Sequence, residues 1–128
     1  MKIFRVEHPE TKYGPYWVGP EYIDLPKFRY LRDLSDKIRD AHWNDDHPDI
    51  AEDIINIDDC PPLSHIRCGF DSFEKLQQWF YGHTEALHQC GYKILVFEVN
   101  EYMILKCKSD KQVAFYRPNL HIEEISLV

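Results

Sequence analysis

Four side chains in the middle of the chain have the chemistry of zinc ligands. Cys60, His65 and Cys68 lie within nine residues, and His47 would be the fourth ligand. Thiolate and imidazole groups are the usual zinc ligands of structural sites. The spacing matches no common zinc module, however, and Pro61-Pro62 restricts how the segment folds back. We therefore favour two buried cysteines and a surface histidine over a bound zinc ion.

Two other histidines and a group of aromatic residues lie in predicted loops. His8 and His47 each precede a proline, which holds the backbone extended and gives the side chain a defined direction. Residues 9–26 contain six glycines and prolines and also carry Tyr16 and Trp17. A loop of this length in a small domain is often functional. Its aromatic side chains either anchor the loop to the core or form the wall of a pocket.

Several familiar catalytic and binding motifs are missing from the sequence. It contains no Gly-x-Gly-x-x-Gly, no Walker-type loop and no Gly-x-Ser-x-Gly. Cysteine pairs separated by two residues are also missing, which argues against zinc ribbons and thioredoxin-like redox sites. These absences exclude the simplest assignments to nucleotide-binding, hydrolase and redox families.

The charge of the chain is concentrated in one segment. The 128 residues carry a net charge of −7, which argues against binding to free nucleic acid or to anionic lipid. Residues 33–59, from Asp33 to Asp59, hold ten carboxylates and only two basic residues, Lys37 and Arg39. The rest of the chain holds twelve carboxylates and thirteen basic residues. This acidic segment is either a solvated surface or a docking surface for a basic partner protein.

The ends and apolar runs of the sequence predict a cytoplasmic protein. The first residues, Met1 to His8, lack the apolar run of a signal peptide. The longest apolar stretch, Ile94 to Phe97, is far shorter than the roughly 20 residues needed to cross a bilayer. Four cysteines without a secretory signal are expected to be reduced.

The hydrophobic pattern predicts one α+β domain over residues 1–128, with mixed or antiparallel sheets and two main helices. Apolar residues at steps of three and four predict a helix over 28–41. Asp71 and Glu74 suggest a capping box that opens a second helix, and Gly91 is placed to terminate it. A short helix is expected over 49–55. Strands are expected at residues 2–8, 65–70, 92–99, 102–107, 112–117 and 120–128.

Three stretches of the chain resemble small phage-encoded proteins of uncharacterised function. They are residues 3–8 leading to Gly14-Pro15-Tyr16, then His47-Pro48, and finally Cys68-Gly69-Phe70-Asp71-Ser72 with Trp79-Phe80. This resemblance spans most of the chain, and it implies an origin but no activity.

The chain also loosely resembles the ADP-ribosyltransferase fold, in which NAD is cleaved between two small sheets. One branch of that family carries an arginine on the first strand, a serine near a middle strand and a glutamate before a late strand. Arg5 and Ser72 match the first two positions, and Gln112 lies near the position of the glutamate. The resemblance implies a split-sheet fold with Arg5, Ser72 and Gln112 as the catalytic set. Because Gln112 has no negative charge, it would contact a ribose hydroxyl without stabilising an oxocarbenium-like transition state.

The same resemblance implies NAD as cofactor and assigns several residues to its binding. Arg5 would contact a phosphate or ribose, since a guanidinium donates two hydrogen bonds to such oxygens. Tyr16 and Trp17 would stack on the nicotinamide ring, and His8 and His47 would complete the binding site.

Three hypotheses therefore remain open at the level of the sequence. The first is an ADP-ribosyltransferase-like domain that binds NAD or a related nucleotide and modifies or inhibits a host factor. The second is a non-catalytic protein that inhibits a host protein, such as a defence protein, by binding it through the acidic segment Asp33–Asp59. The third is a small zinc-binding module.

Overall fold

The computed structural model describes residues 1–44, 46–55 and 65–128. Its elements confirm the α+β class, with every strand pairing antiparallel. The described residues form six strands, namely β1 (Lys2–Glu7), β2 (Ile66–Gly69), β3 (Lys93–Glu98), β4 (Ile104–Leu105), β5 (Val113–Tyr116) and β6 (Glu123–Ile125). The same residues form four α-helices, namely α1 (Arg29–Ala41), α2 (Ile50–Asp53), α3 (Phe73–Trp79) and α4 (Thr84–Gln89), with short 3-10 turns at Pro26–Phe28 and Glu101–Met103.

The strands form two three-stranded sheets that meet at one point. The first sheet has the order β1-β3-β6 and the second has the order β2-β5-β4. Phe4 and Phe70 exchange two backbone hydrogen bonds of 2.8 Å, which join β1 to the end of β2. Gly69 lies at this junction, where an added Cβ would come within 2.7 Å of Ile3. Only glycine therefore allows the two sheets to approach this closely.

Helix α1 is amphipathic and covers the first sheet together with α3 and α4. Leu31, Leu34 and Ile38 are buried on one face of α1, as their spacing predicts. They join the main core with Leu76 of α3 and Leu87 of α4. A second core cluster packs between the sheets around Ile3, Phe97 and Phe115.

The predicted second long helix is wrong in two respects. The chain breaks between α3 and α4 at Gly82, whose φ of +85° cannot continue a right-handed helix. The cap is Ser72 and not Asp71, because the Ser72 side chain accepts a hydrogen bond of 3.2 Å from the Lys75 backbone N–H. The expected terminator Gly91 does have a positive φ of 90°.

Candidate functional site

Arg5 is buried in an ionic network that joins the two sheets. Its Nε donates to Glu7 Oε1 at 3.0 Å and its Nη1 donates to the Cys68 carbonyl at 2.8 Å. Arg117 reaches the same carboxylate from the other side, with hydrogen bonds of 2.8 and 2.7 Å. Arg5 is 3% exposed and Glu7 is 1% exposed. Burial alone would raise the pKa of Glu7, but its bonds and charge contacts with Arg117 and Arg5 hold that pKa below its usual value.

Ser72 and Gln112 each have a different set of partners from Arg5. Ser72 caps α3, as described above. Gln112 is buried, and its Nε2 donates to the Pro48 carbonyl at 2.8 Å and to Asp53 Oδ2 at 3.1 Å. The hydrogen bonds of these three predicted catalytic residues therefore lie in three separate parts of the fold.

Gln112 is one of several residues that hold residues 46–55 of the acidic segment in place. Asp53 is buried and accepts bonds from the Ser109 backbone at 2.9 Å and from the Ser109 hydroxyl at 2.5 Å. Burial opposes ionisation, but the bonds from Ser109 and Gln112 hold the pKa of Asp53 below its usual value. Lys111 also lies 3.4 Å from Asp46 Oδ1. Residues 46–55 are thereby held against the hairpin that leads into β5.

Tyr16 and His47 are brought together by residues that the sequence did not single out. The aromatic–histidine cluster consists of Tyr16, His42, His47, Trp79, Phe80 and His83. The His42 and His47 rings stack with their centroids 3.7 Å apart and their planes within 5°. The Tyr16 hydroxyl accepts a 2.6 Å hydrogen bond from Trp79 Nε1 and bonds with His42 Nδ1. The cluster fastens the loop of Tyr16 and the loop of His47 to α3.

Both ring nitrogens of His47 face acceptor oxygens. Nδ1 lies 2.9 Å from Asn44 Oδ1, and Nε2 lies 2.9 Å from the Trp79 carbonyl. These two contacts fix the orientation of the His47 ring between Asn44 and the end of α3.

The environment of His42 disfavours a positive charge on its ring. Its burial, followed by the proximity of His47 and His83, lowers the pKa of His42 to about 4. Its Nδ1 then serves as acceptor for the Tyr16 hydroxyl, whose own pKa is raised mainly by burial. Burial, with Lys37 and His47 nearby, also lowers the pKa of His83. The cluster is thus stable with His42 neutral.

The remaining predicted site residues lie apart from the cluster. His8 is buried, with its ring against Tyr92 at a centroid distance of 5.3 Å and its Nδ1 accepting from the Glu10 backbone N–H. Trp17 is half exposed beside a small cleft. Of the zinc candidates, His65 is exposed, Cys68 is half-buried on β2, and Cys60 lies outside the described residues.

The described residues contain no preformed metal-binding site. Within 1–44, 46–55 and 65–128, no group of three or more His, Cys, Asp or Glu side chains has the arrangement needed to hold a metal ion. His47 uses both ring nitrogens in bonds with Asn44 and the Trp79 carbonyl, and His42 uses Nδ1 in a bond with Tyr16.

An exposed tryptophan stands in the acidic segment directly beside the cluster. Trp43 follows His42 at the end of α1 and is 90% exposed. Tyr81 is 86% exposed and lies in the turn that leads to His83. The ring centroids of His83 and His42 are 5.2 Å apart. Six carboxylates of the segment are also exposed, namely Asp33, Asp36, Asp40, Asp46, Asp49 and Glu52.

Sequence reasoning missed His42, Trp43 and Trp79 as parts of the site. His42 follows the predicted first helix and Trp79 lies in the predicted second one, and their contacts with Tyr16 span 26 and 63 residues. Such long-range contacts leave no local pattern in the sequence. For Trp43, a signal did exist, since it is a large aromatic residue surrounded by charged and polar neighbours at the end of an amphipathic helix.

The fold and surface define a small α+β protein with antiparallel sheets and an exposed aromatic residue in an acidic face. None of its described helices has the length and apolar character to cross a membrane. The Bacteriophage T4 Y00F protein family matches residues 1–127, and the chain belongs to that phage protein family. Neither the curated proteins nor the solved structures contain a match to the chain.

Proposed function

We propose that this phage protein acts in the cytoplasm of the infected cell by binding a basic surface of a host protein. The contact would be made by Trp43 and the six exposed carboxylates of the acidic segment, which we call the acidic docking surface. The observation that carries the proposal is the 90% exposure of Trp43 within a segment of ten carboxylates and two basic residues. The activity is inhibition by occlusion, since binding covers the partner's basic site without a chemical step.

Trp43 supports this function because tryptophan is the residue type most often found as an energetic hot spot of protein interfaces. Exposing a whole indole to water is unfavourable for a monomer, so an exposed tryptophan is a feature that needs a reason. His42, the residue before Trp43, stacks its ring on that of His47, and this contact restrains the backbone from which the indole extends. A partner would therefore meet an aromatic side chain on a fixed support.

The carboxylates support the choice of a basic partner. Asp33, Asp40 and Glu52 are exposed and make no ion pair with any residue that the structure describes. Their negative field would attract a basic surface, raise the association rate and repel nucleic acid. Asp53 belongs to the same segment but is buried, and its hydrogen bonds with Ser109 and Gln112 hold the segment in position.

The ADP-ribosyltransferase hypothesis finds less support in the same contacts. Arg5 would have to contact a phosphate or ribose, but its guanidinium already bonds with Glu7 and with the Cys68 carbonyl. Gln112 would have to contact a ribose, but it bonds with Pro48 and Asp53. Mass spectrometry of the protein after incubation with labelled NAD tests this hypothesis directly, and an ADP-ribose adduct would favour it over the docking function.

The test of the docking function is affinity capture from a lysate of the bacterial host, with captured proteins measured by quantitative mass spectrometry. One variant removes three unpaired charges of the surface, through Asp33→Asn, Asp40→Asn and Glu52→Gln. A matched control removes three exposed carboxylates elsewhere, through Asp24→Asn, Glu101→Gln and Glu123→Gln. Both variants have the same net charge and leave Asp53 in place.

We expect the first variant to lose a specific, salt-sensitive partner that the wild-type protein and the control variant both retain. Losing three carboxylates should flatten the dependence of the captured amount on salt. Equal retention by both variants would contradict the proposal. Equal loss in both would also contradict it, because net charge alone would then explain the binding.

A further inference from the structure

A small cleft separates the aromatic loop from α1, and Asp36, one of the exposed carboxylates of the acidic segment, belongs to its lining. Its volume is about 180 Å³. We propose that it binds a small molecule in which a flat aromatic ring carries an anionic group, as in a nucleoside 5′-monophosphate. This inference does not depend on the proposed docking function. The residues that line the cleft are Tyr16, Trp17, Val18, Ile23, Arg32, Ser35, Asp36 and Arg39.

The aromatic side of the cleft is prepared to accept a flat ring. Tyr16 is held in place by its hydroxyl bonds with Trp79 and His42 and by stacking on Phe80. Trp17 follows it in the chain and is 50% exposed, so part of its indole is open to solvent beside the cleft. A ring that covers the indole would remove apolar surface from water and gain stacking energy.

The helical side of the cleft supplies two guanidinium groups. Arg32 and Arg39 are seven residues apart on α1, which places them on one face of the helix, about 10 Å apart along its axis. Arg39 is oriented by a 2.6 Å bond to Asp36 Oδ1. Arg32 makes no ion pair with any residue in the described part of the chain. An anion here would gain charge-assisted hydrogen bonds.

The polar groups between the two arginines suit a sugar. Ser35 is buried and Asp36 is exposed, and both line the cleft. A carboxylate beside two guanidinium groups accepts hydrogen bonds from hydroxyls while the arginines hold the anion. A nucleotide offers this combination of base, hydroxyls and phosphate.

The volume of the cleft and the charges around it restrict the choice of ligand further. Cavities for drug-sized ligands have volumes of about 300–1,000 Å³, so this cleft accepts one ring and leaves the phosphate at its mouth. The net charge of the chain is negative, but Arg32 comes before the first carboxylate of α1, Asp33. The phosphate would therefore lie next to Arg32.

The test is an NMR titration of the full chain with adenosine, guanosine, cytidine and uridine 5′-monophosphates. The parallel probes are the four nucleosides and inorganic phosphate. We expect saturable shifts at Trp17 and along α1 with at least one monophosphate, and at least tenfold weaker binding of its nucleoside and of phosphate. A nucleoside or phosphate that binds as tightly as the nucleotide would overturn the proposal, and so would the lack of saturation by all four nucleotides.

Variants locate the site within the cleft. Arg32→Gln should weaken binding roughly tenfold, whereas Arg29→Gln, on the same helix but outside the cleft, should leave it unchanged. Trp17→Leu should lose binding and Trp17→Phe should retain most of it, because phenylalanine restores an aromatic face. Matching far-UV circular dichroism spectra verify that each variant is folded. Equal effects of the two arginine variants, or full binding by Trp17→Leu, would refute the site.

Discussion

The histidine cluster makes the stability of this protein depend on pH through His42. His42 is 8% exposed, and its pKa is lowered to about 4 by burial and by its neighbours His47 and His83. In the unfolded chain the same ring has a pKa near 6.5. Because the folded pKa is the lower one, the unfolded state binds the proton first. The stability that His42 contributes is therefore complete above the unfolded pKa and is lost as the pH falls toward 4.

The size of this effect follows from the two pKa values. One unit of pKa difference corresponds to about 1.4 kcal/mol at 25 °C. Integrating the linkage between pH 7 and pH 4.5, with a folded pKa of about 4, gives a loss of about 2 kcal/mol from this one residue. That is a large fraction of the stability of about 5–15 kcal/mol typical of a small domain.

The assay is urea unfolding of the wild-type protein and of His42→Asn at pH 7 and at pH 4.5. Asparagine keeps an acceptor for the Tyr16 hydroxyl but does not titrate, and His88→Asn is the control at an exposed histidine. We expect the wild-type protein and the control to lose about 2 kcal/mol more than His42→Asn between the two pH values. An equal loss in all three proteins would refute the assigned role of His42.

Three further predictions concern the stability of the fold. Glu7→Gln should reduce the free energy of unfolding by about 3–5 kcal/mol in urea titrations, because it leaves Arg5 and Arg117 without their shared carboxylate; a loss below about 1 kcal/mol would contradict this. Ser72→Ala should cost about 1 kcal/mol in the same assay through loss of the α3 cap, and a larger effect of Asp71→Ala would instead favour Asp71 as the cap. Gly91→Ala should cost about 1 kcal/mol or more, because φ at that position is 90°; unchanged thermal unfolding would show that the backbone there adapts.

The fold class and the positions of most elements could be predicted because local patterns specify them. The three-and-four spacing of Leu31, Leu34 and Ile38 specifies α1, and the described strands lie within the predicted ranges. The break at Gly82 could not be predicted, because an isolated glycine inside a helix costs only about 1 kcal/mol and the apolar pattern continues past it.

The candidate site could be predicted only in part, because its contacts join distant parts of the chain. The sequence indicated Tyr16 as an aromatic loop residue and His47 as a loop residue with a defined direction, and both lie in the cluster. It gave no indication that Asp53 is buried while its acidic neighbours are exposed, since that depends on Ser109, 56 residues away. The arrangement of Arg5 with Glu7 and Arg117 likewise depends on a contact across 110 residues.

The role of Trp43 is measured most directly by the affinity of the captured host partner for the wild-type protein and for Trp43→Ala. The control is Leu120→Ala, which removes an equally exposed apolar side chain outside the acidic docking surface. If Trp43 anchors the interface, its removal should weaken binding by about 30-fold, the effect of losing roughly 2 kcal/mol at a hot spot. We expect Leu120→Ala to bind like the wild-type protein. Unchanged affinity of Trp43→Ala would contradict the account.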